Sequence, residues 1–187
     1  MAATQPDAII DQLWAPDAQG AKPRIFALLD GARDERIVPK LRGLPSFECQ
    51  CLFAGRLTPQ LEMAAPYLVR VYPDRPFTRW LLEEGWGDAW GIFCSTDIDI
   101  DGLRLHFKKL LWVKDESGRK LYFRFYDPRV LRAFLPTCTR EQREQLFGFT
   151  SMFLLEDEDG ELVTETRVPA RRPPKPASSV RPLSQAG

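Results

Sequence analysis

The chain has 187 residues, 44% hydrophobic and 28% charged, a balance that fits one globular domain of ordinary size and excludes an intrinsically disordered chain. No apolar run approaches the roughly 20 residues of a membrane helix, and no basic-then-apolar leader opens the sequence, so a cytoplasmic protein without a membrane partner is expected. The formal charge is zero, but Arg167, Arg171, Arg172, Lys175 and Arg181 stand in residues 167–187 without an acid; residues 1–166 therefore hold 21 of the 26 basic residues against all 26 acids, a net −5 that offers nucleic acid no general attraction.

In chain order, RIFALLD (24–30) is a compact apolar run of the kind that forms a strand buried on both faces, ended by the turn signal Asp30-Gly31. ARDERIVPKL predicts a short helix interrupted or ended near Pro39. FECQCLF (47–53) predicts a strand that turns Cys49 and Cys51 to one face, and YLVRVY (67–72) alternates as a second. PFTRWLLEEGW predicts a helix that opens at Pro76, stops at Gly85 and carries Phe77, Trp80, Leu81 and Glu84 at helical spacing. AWGIFCS (89–95) predicts another buried strand, and DIDGLRLHFKKLL a helix starting around Asp99 or Asp101. LLWVKD and RKLYFRFYD flank Glu116-Ser117-Gly118 as a hairpin. PRVLRAFLP and TREQREQLFG are the last helical segments, and MFLLEDEDGELVTETRV closes as a hairpin. The five prolines and few large apolar residues of 167–187 cannot bury a core, so this basic segment is expected to be an extended or disordered tail. The expected fold is a single mixed α/β domain over residues 1–166, a mixed sheet with antiparallel hairpins covered by short helices.

Catalytic apparatus is scarce. His106 is the one histidine, and no G-x-S-x-G, H-E-x-x-H or glycine-rich phosphate loop occurs. The four cysteines lack zinc spacing and read as small buried hydrophobes, so neither a metal nor a cofactor is expected. Asp97, Asp99 and Asp101 alternate like the opening of a calcium loop, with Gly102 at the sixth position, but Lys108 replaces the glutamate at the twelfth. The plain reading is a cap on the following helix; the rival is a small metal-dependent hydrolase or transferase using these three acids.

One stretch, YFRFYDPRVLRAFLP (122–136), concentrates the interest. As a strand it places Tyr122, Arg124 and Tyr126 on one face, with Phe123 and Phe125 turned to the core. Asp127 then fits the N-cap and Pro128 the first position of a helix. In that helix Val130, Leu131, Phe134 and Leu135 form the apolar side, leaving Arg129 and Arg132 polar. Arg124, Tyr126, Asp127 and Arg129 are the candidate site, with two roles open. Either Arg124 locks the strand–helix corner against a carboxylate, Asp127 being nearest in sequence, or it meets a partner. Trp80, Trp86 and Trp90 are expected in the core.

The order of landmarks resembles the effector adaptor/chaperone family of the type VI secretion system, formerly a domain of unknown function. The matching segments are FALLDGARDERI, CLFAGRLTPQLEMAAPYLVRV, WGDAWGIFCSTDIDIDGLRLHFKKLLWV, FRFYDPRVLRAFLP and QREQLFG, spanning about residues 24–156. The most specific are APYLV (65–69), WGIF (90–93) and RFYDPRVL (124–131). The resemblance implies a protein that is not an enzyme, that binds a secreted effector protein in the producing cell and helps load it onto the VgrG spike protein. It gives no role to the tail.

Overall fold

The computed structural model describes residues 6–16, 20–115 and 117–166; the expected tail at 167–187 lies outside them. In chain order the elements are α1 (Pro6–Leu13), β1 (Ile25–Asp30), α2 (Ile37–Leu41), β2 (Cys49–Cys51), α3 (Pro59–Met63), β3 (Pro66–Arg70), α4 (Pro76–Gly85) and β4 (Gly91–Thr96). They continue with α5 (Ile100–Leu110), β5 (Trp112–Lys114), β6 (Lys120–Tyr122), α6 (Pro128–Phe134), a 3-10 turn (Leu135–Thr137), α7 (Arg140–Phe147), β7 (Thr150–Glu156) and β8 (Leu162–Thr166).

The apolar run of β1 is buried along its whole length, and strand alternation sends its side chains to two different cores. Ile25, Ala27 and Leu29 join one, packed with Leu13 of α1, Ile37 of α2 and Leu81 of α4. Phe26 and Leu28 join the other, with Leu103 and Phe107 of α5, Leu131 of α6 and Phe147 of α7. Three helices therefore cover each face of the sheet, which is why its central strands read as unbroken apolar runs. The sheet order is β2-β3-β1-β4-β7-β8. The α/β class, antiparallel hairpins and helical cover agree with expectation; the strands do not run in mixed directions, because every pairing among those described is antiparallel. The hairpin β5–β6 forms a separate two-stranded sheet.

Local signals place most helix ends. Asp99 caps α5, accepting from the Gly102 N–H at 2.8 Å, and Thr139 with Gln142 forms a capping box on α7. Pro39 does not interrupt α2, contrary to expectation: it lies in the first turn, where N–H groups have no intrahelical acceptor to lose. The strand expected over 47–53 narrows to β2, because the Pro45 carbonyl accepts from the Glu48 and Cys49 N–H groups and holds the chain in a turn until Cys49. No described helix is long and apolar enough to cross a membrane.

Close backbone approach requires glycine at 91: a Cβ there would lie 2.0 Å from the Leu28 carbonyl oxygen of β1. Gly91→Ala should therefore lower the unfolding free energy by about 1–3 kcal/mol in urea titration. Gly43→Ala, whose Cβ would come no nearer than 3.4 Å to the Lys40 carbonyl oxygen, should stay within about 0.5 kcal/mol of the parent. Equal effects would refute the packing of β4 on β1.

Candidate functional site

Beyond Tyr122 the chain leaves the hairpin earlier than the sequence pattern predicts. The Phe123 N–H donates to the Leu111 carbonyl at 2.9 Å, the last rung of the hairpin, and the Asp127 N–H then donates to the Arg124 carbonyl at 3.0 Å. This second bond turns residues 124–127 out of strand geometry, so Tyr122, Arg124 and Tyr126 do not share a strand face. Phe125 is fully buried, and Tyr126 is buried with it rather than presented to solvent. The Tyr126 hydroxyl lies 3.0 Å from that of Tyr122, and burial pushes both phenols above their ordinary range.

The partner of Arg124 is Asp30, 94 residues away at the end of β1, and not primarily Asp127. Asp30 is 1% exposed, and its other oxygen accepts the Ala32 N–H at 3.1 Å. Asp127 stays 3.7 Å from Arg124 because its carboxylate is already occupied. One Asp127 oxygen accepts the Arg129 backbone N–H at 3.0 Å and Nε–H at 2.9 Å; the other accepts Nη2–H at 2.6 Å. Burial raises the Asp127 carboxyl, but the Arg129 fork outweighs it and holds the group below the usual carboxylate range. Arg124, Asp127 and Arg129 thus meet in one corner with Asp30, each charge matched, while Tyr126 sits in the core beneath.

The rival cluster does not assemble. Asp99 is occupied as a helix cap, and Asp101 accepts from the Gln50 amide at 2.7 Å. Among the described residues no group of three or more His, Cys, Asp or Glu is placed to hold a metal ion. His106 packs between Phe107 and Phe149, its Nε2 3.0 Å from the Leu146 carbonyl oxygen. Trp90 is buried, Trp80 and Trp86 pack partly buried on the same core, and the Trp86 indole N–H donates to the Gly160 carbonyl at 2.7 Å. All four cysteines are free; burial pushes the Cys49 thiol up to about 12.

Two kinds of concavity remain. An open polar cleft of about 610 Å³ borders Arg33, Arg129, Arg132 and Glu156. Its guanidinium groups are already engaged: Arg33 donates to the Asp88 carbonyl at 2.7 Å and Arg132 to the Glu156 carbonyl at 2.5 Å. The Glu156 carboxylate accepts the Gly87 and Ala89 N–H groups at 2.5 and 2.6 Å, fixing a loop in which Ala89 has φ 55°. The cleft is braced from within.

The second concavity is apolar. A groove of about 560 Å³ is lined by Phe53, Leu57, Leu61, Trp112 and Tyr122, with the buried Leu52 and Leu111 at its base. Trp112 and Tyr122 are direct partners across the hairpin, their rings edge to face at 5.2 Å, and Tyr122 also meets Phe53. Trp112 is nonetheless 50% exposed, and Leu61 51%. A further groove of about 570 Å³, bordered by Trp112, Val113, Phe123 and Phe134, opens along another side of the hairpin. The sequence reading predicts this hairpin but not the groove, since Leu57 and Leu61 come from a distant segment.

A family model described as Domain of unknown function (DUF4123) matches residues 25–145. No curated protein and no solved structure shows a significant match.

Arg124→Ala leaves Asp30 buried without its cation and should lower stability by about 1–3 kcal/mol. Asp30→Asn in the same background should cost much less than it does alone, and additive effects in the double-mutant cycle would refute the pair. For Asp127 the folded-state pKa is depressed, so its contribution is present above the unfolded carboxylate pKa of about 4 and is lost as pH falls through the lower folded value. Asp127→Asn should flatten that acid limb in pH-dependent unfolding.

Proposed function

The chain belongs to the DUF4123 family, and on that premise we propose that it is a non-enzymatic adaptor that binds a type VI secretion effector and helps load it onto the VgrG spike. The observation that carries this reading is the apolar groove beside the β5–β6 hairpin, whose Trp112, Leu121 and Tyr122 remain solvent-accessible in the folded chain. Large aromatics clustered at an open groove gain free energy when a partner covers them, and such residues dominate protein–protein interface energetics. The family match supports the same reading, because residues 25–145 contain the three most specific segments of that resemblance, APYLV, WGIF and RFYDPRVL.

In this account the protein works by binding and holding. The corner of Asp30, Arg124, Asp127 and Arg129 anchors the segment that leaves the hairpin, so the groove walls are set before a partner arrives and little ordering entropy is lost on association. The effector is engaged in the cytoplasm of the producing cell and carried to the spike. Co-expression with candidate effector and spike proteins of the same secretion system, followed by affinity purification of the adaptor, should recover both partners. Recovery of neither would contradict the proposal.

A further inference from the structure

The apolar groove has a charged rim that departs from the rest of the molecule. Residues 1–166 carry a net −5, yet residues 104–120, which run from α5 through the hairpin, hold six basic residues and two acidic ones. Lys108 borders the groove beside Trp112, Lys109 and Lys114 border the concavity along another side of that tryptophan, and the Lys120 ammonium stands 4.3 Å from the Trp112 ring centroid. Arginine supplies the cation in every ion pair among the described residues, so none of these four lysines is paired there.

The hairpin register sharpens the point. Trp112 faces Tyr122, and Lys114 faces Lys120, directly across the two strands. Like charges at opposed positions destabilise a strand pair, and a two-stranded sheet of three residues each has little stability to spare. The opposed pair concentrates positive charge beside Trp112, where a carboxylate would relieve it. What the arrangement lacks is negative charge, placed above the Trp112–Tyr122 face.

We propose that this groove receives an amphipathic helix of the partner, its apolar stripe against Trp112, Tyr122, Leu57 and Leu61 and its flanks acidic, with carboxylates meeting Lys108 and Lys120. The inference deepens the adaptor reading and rests on it for the protein that supplies the helix. A helix is the matching shape because the surface is a concave apolar groove, into which side chains at i, i+3, i+4 and i+7 project from one rod. A flat lipid surface would meet the hairpin but leave the floor at Leu52 and Leu111 unfilled.

The test uses the full chain and synthetic helical peptides of about 18 residues, five turns, that share one Leu/Phe face and carry Glu, Gln or Lys on both flanks. Binding is read by amide chemical shifts over residues 52–61 and 108–122. The Glu-flanked peptide should bind about fivefold or more tighter than the Lys-flanked one, with the difference shrinking in high salt. Trp112→Ala should weaken every peptide. Lys114→Glu places opposite charges across the hairpin, so the protein should melt no lower than the parent while losing the preference for acidic flanks. Equal binding of Glu- and Lys-flanked peptides, shifts confined to other surfaces, or binding to anionic phosphatidylglycerol vesicles without binding to any peptide would overturn the proposal. Should effector and spike co-purify equally with parent and Trp112→Ala protein, the groove assignment falls while the adaptor reading stands. Should neither partner co-purify with the parent, the adaptor reading falls, and the peptide titration still decides the groove.

Discussion

The ion pair between Arg124 and Asp30 is the constraint on which the arrangement turns. Asp30 ends the strand at the centre of the sheet and is buried almost completely, so its carboxylate needs a cation that burial elsewhere does not supply. Arg124 brings that cation from a segment that would otherwise be a loop, and its own side chain remains 40% exposed. The pair therefore ties the innermost strand to the outer wall of the molecule. A cation that stays partly hydrated avoids much of the desolvation that makes fully buried pairs costly.

The consequences spread along the chain in both directions. Toward the N-terminus lies the β5–β6 hairpin, two strands of three residues outside the main sheet and marginal by themselves. It is held at its base by the Phe123–Leu111 backbone bond and the Tyr122–Tyr126 hydroxyl contact, both within a few residues of Arg124. Toward the C-terminus, Asp127 caps α6 and binds Arg129, fixing the direction of the helix that covers one core. A fully packed three-layer body thus projects one aromatic, lysine-bearing hairpin at a set angle. The groove beside it leaves apolar surface without internal cover.

Much of this is legible in the sequence, and the division has a physical basis. Asp127-Pro128, Asp99 and the Thr139–Gln142 box act on backbone groups within one turn, so their signals lie within a few residues. The apolar runs of β1 and β4 are legible because both faces are covered, and β3 by its alternation. By contrast, α1 buries mainly Ile9 and Leu13, too little for a periodic pattern, and α3 buries nothing, leaving only Thr58-Pro59 to mark it. The partner of Arg124 is set by tertiary packing, and sequence proximity favours Asp127, whose carboxylate the structure commits to Arg129. The Trp112–Tyr122 and Lys114–Lys120 pairs follow from the hairpin once its register is counted, whereas Leu57 and Leu61 join them only through the fold.

The central claim, that the hairpin groove is the surface a partner covers, is tested most directly by hydrogen–deuterium exchange of the free protein and of its complex with any partner recovered by co-expression. The account predicts slower exchange over residues 52–61 and 108–122, with the already braced loop at 87–89 unchanged. Protection confined to β8 or to the polar cleft around Arg33, with the hairpin exchanging as fast as in the free protein, would contradict it.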